Sequence, residues 1–277
     1  MKAAAVQLNS TADFGANLAA ADRLTRAAAA DGAQLIVLPE KWTAMGSEEE
    51  LRAAAEPLDG RAVSWARDIA AELRVELVAG SFLECIPGED KLANTCVHVS
   101  SSGAVRAVYR KLHMFDVTID GRSYRESDLE LPGEEIVLSE IPSSDGVAGA
   151  GVELGLAVCY DLRFPELARI LAVRGARILA LPSAFTLPTT RDHWEVLVRA
   201  RAIENQTFVI AANQVGPHPG GMRSGGRSMI VDPWGVVLAQ APDVEQHILA
   251  ELDLERQLQI RAQLPALANR RPEAYRW

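Results

Sequence analysis

A carboxylate, an ammonium and a thiol each stand just past a short apolar run in this chain. Glu40 follows Leu35-Ile36-Val37-Leu38-Pro39, Lys111 follows the segment Val105 to Arg110, and Cys159 follows Gly155-Leu156-Ala157-Val158. Hydrolysis of an unreactive amide or nitrile needs a nucleophile, a proton carrier and a group that holds the charge developing on the substrate. These three residue types supply that set: cysteine attacks, the carboxylate moves protons and the ammonium stabilises. Singly each is ordinary, since a lone cysteine is more often a small buried hydrophobe, a loop glutamate is usually solvated and a strand-end lysine is usually a surface cation. The combination carries the signal.

Cys159 is followed by Tyr160, Asp161, Leu162, Arg163, Phe164, Pro165 and Glu166. The apolar run before it reads as a buried strand, and Pro165 suits the first turn of a helix. The thiol is therefore expected on a strand-to-helix turn, where unpaired N–H groups and the helix dipole favour negative charge, lower a thiol's pKa and stabilise an oxyanion.

The elements that must position these residues alternate along the chain. The pattern predicts strands at 2–8, 34–38, 75–84, 95–100 and 105–110 in the first half, with helices at about 17–30 and 61–73. In the second half it predicts strands at 152–158, 178–181, 207–214, 228–231 and 236–240, and helices at 165–174 and about 193–205. Asp192 with Glu195 three residues on reads as a capping box for the last helix. Gly32-Ala33-Gln34-Leu35-Ile36-Val37-Leu38-Pro39 echoes Gly175-Ala176-Arg177-Ile178-Leu179-Ala180-Leu181-Pro182, and each follows a helix. Two such units predict a pseudo-symmetric α/β layer fold in which Glu40 and Ser183 leave the carboxyl ends of their strands, the edge where ligands collect in open α/β sheets.

Bulk properties narrow the function classes. The 277 residues predict a single domain, residues 1–277. With 28 Lys plus Arg against 37 Asp plus Glu the formal charge is −9, and no basic block with interleaved aromatics occurs, which argues against nucleic acid and anionic membranes as partners. No stretch approaches about 18 uninterrupted apolar residues and no secretory leader is evident, so a cytoplasmic protein is expected. Cys85, Cys96 and Cys159 form neither a disulfide framework nor a Cys-x-x-Cys pair, in keeping with a reducing compartment. The histidines at 98, 113, 193, 218 and 247 lack metal-ligand spacing, and the glycines at 216, 220, 221, 225 and 226 lack a phosphate-loop ending, so neither metal nor cofactor is implied.

Leu38-Pro39-Glu40, Tyr109-Arg110-Lys111-Leu112-His113 and Leu156-Ala157-Val158-Cys159-Tyr160-Asp161-Leu162-Arg163-Phe164-Pro165-Glu166 resemble the three signature motifs of the nitrilase superfamily of carbon-nitrogen hydrolases, in the same order. The resemblance runs on through Pro182-Ser183-Ala184-Phe185, His193-Trp194-Glu195, Asp232-Pro233-Trp234-Gly235 and Arg270-Arg271-Pro272, so it spans nearly the whole chain. His113-Met114-Phe115-Asp116-Val117, with Glu126-Ser127 beyond, is similar to the Nit amidase branch that includes deaminated glutathione amidase and ω-amidase. The resemblance implies a four-layer α-β-β-α sandwich that pairs through the helices after Cys159 and Asp192 into a homodimer or a higher even homo-oligomer. It implies Cys159 as nucleophile, Glu40 as base, Lys111 with the Tyr160 N–H as oxyanion partners, and Glu126 as a second acid positioning Lys111.

The substrate it implies is a small amide bearing a carboxylate, an α-keto acid amide. Tyr160, Phe185 and Arg227 are the expected substrate-binding residues, with Arg191 a further partner for the carboxylate. Many Nit amidases have histidine where this chain has Arg227, and Gly-Pro where it has Thr190-Arg191-Asp192; the segment from Ser143 to Gly151 also looks longer than its counterpart. These departures leave three alternatives beside the α-keto acid amidase: an N-carbamoyl amino acid amidohydrolase or aliphatic amidase, a true nitrilase, and a non-enzymatic binding protein on the same fold.

Overall fold

A computed structural model describes residues 1–119, 121–142 and 151–275. Its two sheets are built on one plan. The first runs in the order Gln246–Glu251, Lys2–Gln7, Leu35–Val37, Glu76–Cys85, Leu92–Val99, Val105–Arg110, with Glu130–Leu131 beside Leu92–Val99. The second runs Val237–Gln240, Met229–Val231, Phe208–Asn213, Ile178–Ser183, Val152–Leu156, Leu138–Ile141. Each holds a trio of mutually parallel strands, Lys2–Gln7 with Leu35–Val37 and Glu76–Cys85 in one, Val152–Leu156 with Ile178–Ser183 and Phe208–Asn213 in the other. The echoed segments at Leu35 and Ile178 occupy the middle of the two trios.

Successive side chains of a strand face opposite ways, and here both faces are covered, which is why the strands read as continuous apolar runs. Ala3, Ala5, Leu35, Val37 and Val78 join the core shared with Leu154, Leu156, Ile178 and Ala180 of the other sheet. Their neighbours Ala4, Val6, Ile36, Leu38 and Leu77 face outward onto Ala21, Leu24, Ala28, Ala66, Ile69 and Ala70. Those last six lie on two helices. Phe14–Ala30 is capped by Asp13, whose side chain accepts from the Ala16 N–H, and buries Asn17, Ala21, Leu24, Thr25 and Ala28 along one stripe. Arg61–Leu73 buries Ala62, Val63, Ala66, Ile69 and Ala70 in the same manner. Pro165–Val173 and Glu195–Asn205 cover the second sheet through Leu167, Leu171, Val198 and Ala202. The layers are α-β-β-α.

Several boundaries differ from the sequence reading by a few residues, and two of the differences lie beside the site. The strand that leads to Cys159 ends at Leu156, and Ala157-Val158 only approach the turn. The helix expected from His193 already begins at Leu187 with Pro188 in its first turn, and passes through a π-helical stretch, Thr190–Trp194, before Glu195–Asn205. Asp192 is therefore inside a continuous helix and does not cap one; its exposed carboxylate pairs with Arg191 at 2.8 Å. The Ser/Gly/Ala-rich segment lies outside the described residues from Ser143 to Ala150.

Candidate active site

The ends of the two sheets bring Glu40, Lys111 and Cys159 to one buried point. Glu40 leaves Leu35–Val37 through a turn that the neighbouring strand holds: the Ser81 N–H donates to the Pro39 carbonyl at 3.2 Å, and the Trp42 N–H to the Ser81 carbonyl at 3.1 Å. Gly80 makes that approach possible, since a Cβ there would stand 2.1 Å from the Pro39 carbonyl oxygen and its φ of +57° lies in the left-handed region. Lys111 is the first residue past Val105–Arg110, with its N–H on the Asn94 carbonyl at 2.9 Å. Cys159 opens a short 3-10 helix, Cys159–Arg163, in the left-handed conformation at φ 51°, a costly backbone for a non-glycine residue and of the kind found at functional turns.

One carboxylate locks that turn. Asp161 accepts from the Val158 N–H at 2.8 Å, the Tyr109 hydroxyl at 2.6 Å, the His113 N–H at 3.2 Å and His113 Nδ1 at 2.6 Å. The strand end that carries Lys111 is thereby tied on both sides to the turn that carries Cys159. The His113 ring also stacks on Phe164, with centroids 3.6 Å apart.

Lys111 Nζ donates to Glu40 Oε1 at 2.9 Å and to Glu126 Oε2 at 2.7 Å. Its side chain is 1% exposed, so the charge persists only because it is paired. Burial pushes this ammonium down, but Glu126 and Glu40 outweigh it and hold the pKa well above the ordinary lysine value. Asn94 Nδ2 donates to the same Glu40 oxygen at 2.9 Å. Burial pushes the Cys159 thiol up and the neighbouring Glu40 pushes it further; Lys111 opposes them without winning, and the pKa stands well above the usual cysteine range. This reverses the expectation from the helix start alone. A neutral thiol needs a base to take its proton as it attacks, and Glu40, hydrogen-bonded to it, is in position to do so.

Glu126 opens the single helical turn Glu126–Leu129, after a hairpin of Asp116–Ile119 and Arg122–Arg125. Its Oε2 also accepts the Phe115 N–H at 2.8 Å. Burial would raise this carboxyl, but Lys111 and Lys41 overrule it and hold it well below the ordinary glutamate value.

A cavity of about 260 Å³ opens onto Cys159, Glu40, Lys111 and Glu126, and Tyr160 and Phe185 also line it. Of the cations expected to read a carboxylate, Arg227 is exposed, stands outside the lining and offers its carbonyl to Trp194 Nε1 at 2.7 Å. Its φ of 58° belongs to the turn before Ser228, and the buried bonds of Ser228 to Gln7 fix that turn with the side chain outward. Arg191 is likewise outside the lining and paired with Asp192. Arg163, present in the third motif but not singled out, does line the cavity, its guanidinium 5.4 Å from the Phe185 ring centroid and 6.0 Å from that of Tyr160. Lys41 and Glu130 also belong to the site and had no local signal. Among the described residues no group of three His, Cys, Asp or Glu side chains could hold a metal ion.

The carbon-nitrogen hydrolase profile matches residues 2–262. The chain belongs to the carbon-nitrogen hydrolase family. It is 38% identical over 270 residues to a deaminated glutathione amidase of Synechocystis sp., covering 97% of both chains. It is 34% identical over 273 residues to an ω-amidase of Bos taurus, covering 98% of this chain and 95% of the relative. Among solved structures, Saccharomyces cerevisiae Nit3, a member of branch 10 of the nitrilase superfamily, superposes with a TM-score of 0.85 at 30% identity, covering 96% of this chain and 94% of the other. This carbon-nitrogen hydrolase is a cysteine-dependent amidase of the nitrilase fold, and among its described residues no helix is long and apolar enough to cross a membrane.

Proposed function

We propose that this amidase hydrolyses a small amide that carries a carboxylate, an α-keto acid amide of the deaminated glutathione or α-ketoglutaramate kind. The observation that carries the reading is the cavity itself: Cys159, Glu40, Lys111 and Glu126 line it together with Arg163 beside the Phe185 and Tyr160 rings. A carboxylate bound by that guanidinium would orient the amide carbon toward Cys159, and the names of the relatives favour the same substrate class.

In the proposed reaction Glu40 takes the Cys159 proton as sulfur attacks the amide carbon. The carbonyl electron pair moves to oxygen, where Lys111 Nζ and the Tyr160 N–H hold it. Collapse breaks the C–N bond, and protonated Glu40 delivers its proton to the leaving ammonia or amine. Glu40 then takes a proton from a water, whose oxygen attacks the thioester. The second tetrahedral adduct expels the thiolate, which recovers its proton from Glu40, and the carboxylic acid leaves. Glu126 keeps Lys111 in register throughout.

We read the chain as one catalytic domain working as a homodimer. Ile170 and Val173 on Pro165–Val173, with Val196 and Ile203 on Glu195–Asn205, expose apolar surface that pairing would cover. The three cysteines are all free of disulfides, which suits a cytoplasmic enzyme. Intact-protein mass spectrometry during turnover of α-ketoglutaramate, deaminated glutathione, propionamide and propionitrile tests the reading. An acyl adduct that maps to Cys159, with kcat/KM highest for the carboxylated amides, is expected. Equal turnover of propionamide or propionitrile would defeat the substrate class, and an adduct elsewhere would defeat the nucleophile. Light scattering that finds an active monomer at micromolar concentration would defeat the dimer.

A further inference from the structure

The buried charges do not stop at Glu126. Its Oε1, the oxygen turned away from Lys111, accepts from Lys41 Nζ at 2.9 Å, and the same Nζ reaches Glu130 Oε1 at 2.6 Å. Glu40, Lys111, Glu126, Lys41 and Glu130 therefore form one chain of alternating sign. The side chain of Lys41 is 13% exposed and that of Glu130 is 1% exposed.

Adjacent residues of an extended strand point to opposite faces, yet Glu40 and Lys41 both enter this cluster. The backbone explains it: Lys41 is left-handed at φ 48°, and its N–H is held by Ser81 Oγ at 3.0 Å. A non-glycine residue is costly in that conformation, and it persists where the surroundings determine it, commonly at working sites. Here the turn brings a second ammonium to a carboxylate that already has one.

We propose that Lys41 is a positioning residue which, braced from behind by Glu130, pins the Glu126 carboxylate so that Lys111 stays aimed at the oxygen of the reacting amide. With Lys111 as its only ammonium, Glu126 would be free to swing with that side chain as charge grows on the substrate. An ammonium on each oxygen fixes the carboxylate plane. Lys41 also draws off part of the negative charge that Glu40 and Glu126 together direct at Lys111, leaving Lys111 more of its field for the oxyanion. Glu130 completes the chain: burial raises its carboxyl against the pull of Lys41, to about 7, and its Oε2 has no hydrogen-bond partner among the described residues. With a proton there, the five groups sum to zero charge.

The inference rests on the proposed roles of Glu126 and Lys111, and a mutant cycle separates its failure from theirs. Ammonia release from α-ketoglutaramate, or from the best amide of the panel above, is measured for Lys41→Met, Lys41→Arg, Glu126→Gln and Lys41→Met/Glu126→Gln, with thermal unfolding of each. Lys41→Met should lower kcat about 10-fold with KM within about twofold, a coupling of ordinary size for groups in one network, and Lys41→Arg should recover part of the loss. Because Lys41 acts through Glu126, the double variant should be no slower than Glu126→Gln alone. If Lys41→Met does not fold, Lys41→Met/Glu130→Gln, which removes the ammonium together with the buried carboxyl it faces, carries the same expectation.

Full kcat in the Lys41 variants overturns the proposal. So does a loss confined to KM, which would make Lys41 a substrate ligand, and so does a double variant in which the two losses multiply. A fully active Glu126→Gln would instead overturn the role of Glu126, and this inference with it.

Discussion

The backbone N–H of Glu40 donates to the carbonyl of Ser183 at 3.3 Å, joining the two residues that leave the echoed Leu-Pro segments of the two sheets. Gln214 reinforces the junction, its N–H on the Ser183 carbonyl and its Nε2 on the Glu40 carbonyl, both at 2.9 Å. The next residue, Ala184, offers its N–H to Cys159. Main-chain bonds thus fix the Glu40 backbone where the two sheets meet, and the segment they hold it against also reaches the Cys159 thiol through Ala184.

Because the main chain does the holding, Glu40→Gln should keep its unfolding temperature within a few degrees while kcat falls at least ~100-fold, the usual scale of general acid–base catalysis. Lys111→Met should lose at least ~100-fold as well, the scale of one oxyanion donor, and Glu126→Gln should also be impaired. Steady-state kinetics beside calorimetry checks this. Full kcat in Glu40→Gln or Lys111→Met would break the set, and full kcat in Glu126→Gln would reduce that residue to a loop acid.

The thiol makes a prediction about pH. Cys159 stands well above the ordinary cysteine value, so at pH 7 the resting enzyme holds it protonated, and alkylation, which needs the thiolate, should be slow there and climb at alkaline pH. Exposed Cys85 should take iodoacetamide first. Removing the negative charge in Glu40→Gln lowers the Cys159 pKa, so that variant should label faster at Cys159 while turning over far more slowly. Peptide mapping after timed labelling gives both rates; slower labelling in Glu40→Gln would contradict the electrostatic account. Cys159→Ala should have no turnover.

Arg163→Ala should raise KM for carboxylated amides by roughly 10- to 100-fold, the range of a charge-assisted contact worth about 1.5 to 3 kcal/mol, and leave propionamide nearly unchanged. Arg227→Ala should leave the ranking of substrates as it is, since that side chain is exposed and away from the cavity. A substrate preference that collapses in Arg227→Ala and survives in Arg163→Ala would reverse the assignment.

Glu130 predicts a stability slope. Its carboxyl titrates near 7 when folded against an ordinary value of 4.5 when unfolded, so between those values the folded state binds more protons. Stability from this group is therefore present below pH 4.5 and drains away as pH rises to 7, by at most ~1.4 kcal/mol per pH unit. Glu126, held low, acts with the opposite sign and only as pH falls below about its ordinary value of 4.5, so it does not mask the effect. Denaturant titrations of wild type and Glu130→Gln from pH 5 to 8 should differ in slope, with wild type declining more steeply. Parallel slopes would mean that Glu130 is already ionised at pH 5.

Much of this was legible in the residues alone. Apolar runs that end in a glutamate, a lysine and a cysteine mark buried strands whose carboxyl ends carry polar groups, and a strand covered on both faces has no other place for them. That placement depends on local pattern, so an α/β layer fold and the set Glu40, Lys111 and Cys159 could be read directly, whereas the α-β-β-α order came only from the resemblance to the nitrilase superfamily. The capping signal at Asp192 was also local, yet the chain was already helical from Leu187, because packing of Thr190 and Trp194 in the interior carried the helix through it. What had no local trace was electrostatic or directional. Lys41 and Glu130 meet across 89 residues of sequence, and only the left-handed turn at Lys41 turns its side chain inward. Arg163 and Arg227 are equal as residue types, and backbone geometry alone decided which one faces the cavity. The Cys159 thiol illustrates the limit best: the helix start after it argues for a low pKa, but burial and a carboxylate delivered from the other sheet raise it. Desolvation and long-range charge exist only once the sheets have closed on each other.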